Sequence, residues 1–81
     1  MKDFKYRYGI CSVADKEIYK KQCLALEKNI VGLVKQEELI DVDSSKISKY
    51  IYNEDTIYVV MDNTCDDVHV NSDIELEQFF R

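Results

Sequence analysis

The sequence predicts an α+β domain in which a four- to five-stranded antiparallel or mixed sheet carries one long helix on one face and ends in a short helix. Three observations predict it. Residues 4–10 alternate between apolar and polar, Tyr19, Cys23, Leu26 and Ile30 recur at spacings of four, three and four, and residues 56–61 are mostly β-branched or aromatic. A period of two belongs to a strand with one buried face, and a period near 3.6 to a helix with one buried side.

The first strand is read from Phe4, Tyr6, Tyr8 and Ile10 alternating with Lys5, Arg7 and Gly9. Ser12 then resembles a helix N-cap with Asp15 at its third position, and the helix runs from Asp15 to Glu27 or Lys28. Asn29 and Gly32 end it, because both tolerate the left-handed backbone that closes helices. Leu39-Ile40-Asp41-Val42 reads as a short second strand and Asp43-Ser44-Ser45 as a turn. Residues 46–52 read as a third strand. A helix capped at Ser44 or Ser45, with Ile47, Tyr50 and Ile51 on one side, is the rival, disfavoured by the Ile, Tyr and Ser content.

Asn53-Glu54-Asp55 is a polar break suited to a hairpin loop into a central strand over 56–61, which is apolar on both faces. An acidic loop follows at 62–67, then a short strand at Val68-His69-Val70. Ser72-Asp73-Ile74-Glu75 has the form of a capping box, with Leu76, Phe79 and Phe80 on the buried side of the helix it opens. The resulting order is β-α-β-β-β-β-α. With no proline, two glycines and no repeat, residues 1–81 read as one domain.

Charge is unevenly placed. The net value is −5, yet residues 1–35 carry eight Lys or Arg against four Asp or Glu, and residues 36–81 carry three against twelve. An acidic half repels phosphate, so direct nucleic-acid binding is not expected unless Lys5, Arg7, Lys16, Lys20 and Lys21 gather into one patch. The longest apolar run, 57–61, is far short of the roughly 20 residues of a membrane span. Three widely spaced cysteines and an N-terminus without an apolar signal core predict reduced thiols and a cytoplasmic location.

No pattern of catalytic or metal-binding residues stands out. Residues 62–73 place oxygen side chains at alternate positions as a calcium loop does, but Asp67 stands where the turn needs glycine and Asp73 where a bidentate glutamate belongs. Cys11, Cys23, Cys65 and His69 lack the close pairs of a zinc site. A Cys65 and His69 couple is conceivable as nucleophile and base, but nothing in the spacing brings the two together. Asp41/Asp43 and Asp66/Asp67 read as solvated loop acids. The chain is therefore expected to have no cofactor, no metal and no enzymatic activity.

Binding is the expected role. The first expectation is a small acidic inhibitor of the immunity-protein or antitoxin type, which neutralises a basic toxin or nuclease through Glu54, Asp55, Asp62, Asp66 and Asp67. The alternative is a structural or adaptor module that forms a homodimer through a sheet face or an edge strand. In that reading Tyr50 and Tyr52 decorate the face opposite the helix.

Overall fold

The computed structural model describes residues 4–79. Five strands, β1 (Tyr6–Cys11), β2 (Val34–Ile40), β3 (Lys46–Tyr52), β4 (Asp55–Asp62) and β5 (Asp67–Ser72), form one antiparallel sheet in the order β1-β5-β4-β3-β2. Strands β2 to β5 are a meander of hairpins, and β1 returns beside β5. The helix α1 (Lys16–Asn29) therefore leaves one edge of the sheet and delivers the chain to the other. Its length suits that task. Fourteen residues at 1.5 Å each span about 21 Å, against about 19 Å for four inter-strand gaps.

Tyr19, Cys23, Leu26 and Ile30, the predicted stripe, are all buried against Tyr50, Ile57, Val59, Met61, Val68 and Val70. The helix starts three residues later than the Ser12 cap implies. Asp15 is itself the N-cap, and its Oδ1 accepts from the backbone N–H groups of Glu17 at 2.8 Å and Ile18 at 3.1 Å. At the other end Gly32 takes φ of 90°, while the Asn29 side chain donates back to the Ala25 carbonyl at 2.8 Å.

Strand β3 settles the choice between strand and helix over 46–52, pairing with β2 on one side and β4 on the other. Strand β2 begins at Val34, five residues before the predicted start, and Val42 lies beyond it in the turn. All seven β2 residues are exposed, so no buried face imprints a period of two on them. In β1 the register shifts between Gly9 and Cys11, so Cys11 rather than Ile10 packs against the core. Phe4 lies on the side away from α1, with its ring edge-on to Tyr58 at 4.9 Å.

The C-terminal element is a 3-10 turn, Glu77–Phe79, where the sequence predicted a short helix. Ser72 does not cap it. Its hydroxyl donates to the Ile74 carbonyl at 2.7 Å and accepts from the Ile74 N–H at 3.1 Å. Leu76 is buried, and its backbone N–H donates to the Tyr8 hydroxyl at 2.9 Å. Phe80, assigned to the buried side, falls outside the described residues. Among the described residues no helix is long and apolar enough to cross a membrane.

Candidate functional site

Strand polarity brings three loops to one end of the sheet: residues 12–15 leading into α1, the β2–β3 turn at 41–45 and the β4–β5 turn at 62–67. The second and third are rich in Asp because short polar side chains close tight turns on their own backbone. Asp62 Oδ1 accepts from the N–H groups of Thr64 at 2.9 Å and Cys65 at 3.0 Å. Asp43 Oδ1 accepts from the N–H of Ser45 at 3.0 Å, and Asp41 Oδ1 from that of Val42 at 2.7 Å. Ser44 and Asp66 take left-handed φ values of 68° and 54° within these turns.

The loops are then braced to one another. The Thr64 hydroxyl donates to Asp43 Oδ2 at 2.6 Å, the Asn63 side chain donates to the Asp43 carbonyl at 2.8 Å, and the Asn63 N–H donates to the Ser45 hydroxyl at 2.8 Å. Asp66 Oδ1 accepts from the Ala14 N–H at 2.8 Å, tying the third loop in. Asp67 bridges two cations or potential cations: Arg7 lies 3.3 Å from Oδ2, and His69 Nδ1 lies 2.9 Å from Oδ1.

These bonds set the protonation chemistry. The Thr64 hydroxyl, followed by the Ser45 N–H, holds the Asp43 carboxyl below the usual aspartate range. The Cys65 N–H does the same for Asp62 against a smaller opposing effect of burial. Cys65 is pushed the other way, chiefly by the Asp62 charge, which keeps its thiol protonated and a poor nucleophile at neutral pH. His69 turns its Nδ1 to Asp67, a contact that orients the ring.

The five predicted acids do not form one surface. Asp62, Asp66 and Asp67 share the braced end, but Glu54 and Asp55 sit at the other end of β4, seven steps and about 23 Å away along this eight-residue strand. Their place at the braced end is taken by Asp41 and Asp43, which the sequence predicts only as solvated loop acids. Turn chemistry marked these residues locally. Their meeting depends on Lys46 standing opposite Met61 in the β3–β4 ladder, which no local pattern states.

The tyrosines need a larger correction. Tyr50 is 0 % exposed and points beneath α1, where its hydroxyl donates to Glu27 at 2.7 Å, so it offers no docking surface. Tyr52 is half-buried on the same side, edge-on to Phe79 at 5.4 Å. The sequence predicts the reverse, with Phe4 on the helix face and these two tyrosines on the other. What lies on the face away from the helix is an open concavity of about 560 Å³ lined by Phe4, Ile47, Tyr58, Val60, Asp62, His69 and Asn71.

The calcium-loop spacing does not fold into a loop. Asp73 follows the whole length of β5 and stands at the end opposite Asp62, where its Oδ2 accepts from the Thr56 N–H at 3.2 Å. Cys23 is buried on α1 while Cys65 is exposed, and among the described residues no three His, Cys, Asp or Glu side chains are gathered in a metal-holding group. The lysines Lys16, Lys20 and Lys21 belong to α1 whereas Arg7 faces away from it, so these do not form one basic patch.

No family model matches this chain, and neither a curated protein nor a solved structure does.

Proposed function

We infer that this chain is a small protein-binding domain without a catalytic role, whose partner presents a basic surface, and that it works as an inhibitor of the immunity-protein or antitoxin type. The observation that carries this reading is the convergence of Asp41, Asp43, Asp62, Asp66 and Asp67 on two cross-braced loops at one end of the sheet, with the loop before α1 tied to them through the Ala14 N–H. Loops held in this way lose little freedom on binding. Acidic side chains of one sign on a small rigid end raise encounter rates with a basic protein, and the effect weakens as salt screens it.

The experiment is capture of the partner from the native cell extract at low and high salt, followed by binding measurements on the purified pair. Asp41→Asn, Asp62→Asn and Asp66→Asn remove charge but keep the side-chain carbonyl that accepts the turn bonds. Combined, they should weaken binding at least tenfold and flatten its salt dependence. Glu54→Gln with Asp55→Asn, at the far end, should leave binding within twofold. Equal losses from both sets, or affinity indifferent to salt, would remove the acidic end as the site.

A further inference from the structure

We propose that the exposed edge strand β2 pairs antiparallel with β2 of a second copy of this chain, joining two five-stranded sheets into one of ten across a two-fold axis at residues 36 and 37. The seam is distinct from the acidic loops, and its failure would leave the inhibitor reading untouched.

Strand β2 stands apart from the rest of the sheet. Its neighbour β3 covers one side of its backbone ladder and nothing among the described residues covers the other. Its side chains are open on both faces, with Val34 53 %, Leu39 48 % and Ile40 64 % exposed. A strand of this kind is a template for another strand, and proteins usually blunt such edges with charge or a bulge. Strand β2 has both, and the pattern they make is self-complementary.

The register shows why. Val34, Glu37 and Leu39 stand opposite Ile51, Lys49 and Ile47, and therefore lie on the face away from α1. Lys35, Glu38 and Ile40 stand opposite Tyr50, Ser48 and Lys46, on the helix face. Facing residues in an antiparallel pair must share a face, so in a regular strand meeting its own copy their numbers differ by an even count. The bulge between Lys35 and Glu37 shifts this by one. Across it, Val34 meets Leu39 of the second copy and Lys35 meets Glu38, each twice by symmetry.

Both pairs match in kind, and both also match in which way their backbone groups point, because the β3 residues opposite them alternate in step. Neighbouring registers lack this. A shift of two places sets Val34 against Glu37 in one direction and Lys35 against Ile40 in the other, and a pairing that stays on one side of the bulge centres on Glu38 against Glu38. The charge pattern thus admits the second copy in one register and opposes the others.

A seam of six residues is small against the about 1,200–2,000 Å² of a stable interface, so the dimer forms in a concentration-dependent way. Light scattering coupled to size exclusion, run over a concentration series, reads it. The parent chain should pass from monomer to dimer. Lys35→Glu places carboxylates opposite Glu38, Glu38→Lys places ammonium groups opposite Lys35, and each variant alone should be monomeric. Mixed in equal amounts they should form a heterodimer, because both pairs regain opposite charges.

Glu38 also accepts from the Tyr19 hydroxyl at 3.0 Å, so Leu39→Lys, on the other face, is the second probe if Glu38→Lys does not fold. Lys35→Glu and Leu39→Lys would then both have to be monomeric. A parent that stays monomeric at every concentration, open-ended assemblies, a dimer that survives Lys35→Glu or a folded pair of charge variants that fails to mix would each overturn the proposal.

Discussion

Strands β4 and β2 belong to one sheet with a single strand between them, yet they meet solvent in opposite ways. Five of the eight β4 residues are buried, including Ile57 and Val59 under α1 and Thr56 and Val60 on the other face, whereas every β2 residue is exposed. The difference lies in position rather than in strand quality. Strand β4 is central and lies under the helix, so its apolar side chains contact Leu26, Tyr19 and their neighbours. Strand β2 is reached last by the helix crossing and extends past its cover. Burial then concentrates stability in β4 and leaves β2 to backbone pairing with β3 and to whatever meets its outer edge.

Four measurements sharpen that contrast, in order of effect. Ile57→Ala removes a fully buried side chain beneath α1 and should cost about 2–5 kcal/mol in urea unfolding, a large share of the stability of a domain this size. A cost under about 1 kcal/mol would mean that the core is not centred on β4. Asp15→Ala takes the acceptor from two N–H groups at the start of α1 and should cost about 1 kcal/mol, with Asp15→Asn much milder.

Acid comes next. Asp43 and Asp62 have carboxyls held below the ordinary range in the fold, so they stabilise it above the unfolded pKa, and that contribution is lost as the pH falls through the folded values. Unfolding midpoints should be level near neutrality and decline below about pH 4. A Thr64→Val chain, which lacks the hydroxyl bond to Asp43, should decline less over the same window. The smallest change is expected in β2. Leu39→Thr should shift monomer stability by less than about 0.5 kcal/mol, because the side chain is already half in solvent. A loss as large as that at Ile57 would break the comparison.

The tyrosines teach a related lesson. Tyr19 and Tyr50 are core residues whose hydroxyls reach carboxylates on the rim: Tyr19 donates to Glu38 and accepts from Ser48, and Tyr50 donates to Glu27. Burial pushes Tyr19 well above the usual tyrosine range, opposed by the bond from the Ser48 hydroxyl and aided by the Glu38 acceptor, while burial and then the Glu27 acceptor raise Tyr50. Sequence placed Tyr50 and Tyr52 on the open face because alternation says which residues share a face and not which face the helix takes.

Taken alone, the sequence determined what depends on near neighbours. The stripe of α1 was legible because one buried side imposes a period of 3.6. Strands β3 and β4 were legible from their β-branched and aromatic content, and the turns from Asp, Asn and Ser closing on adjacent N–H groups. The tertiary structure decided the rest. It placed β2 in a run of Lys, Gln and Glu that no buried face marks, and it turned Tyr50 inward. It also separated Glu54 and Asp55 from the acids they were grouped with and brought Asp41 and Asp43 to Asp62. The physical reason is common to all of these: strand register and sheet order are set by pairing between residues distant in the chain, and a local pattern carries no record of its partner.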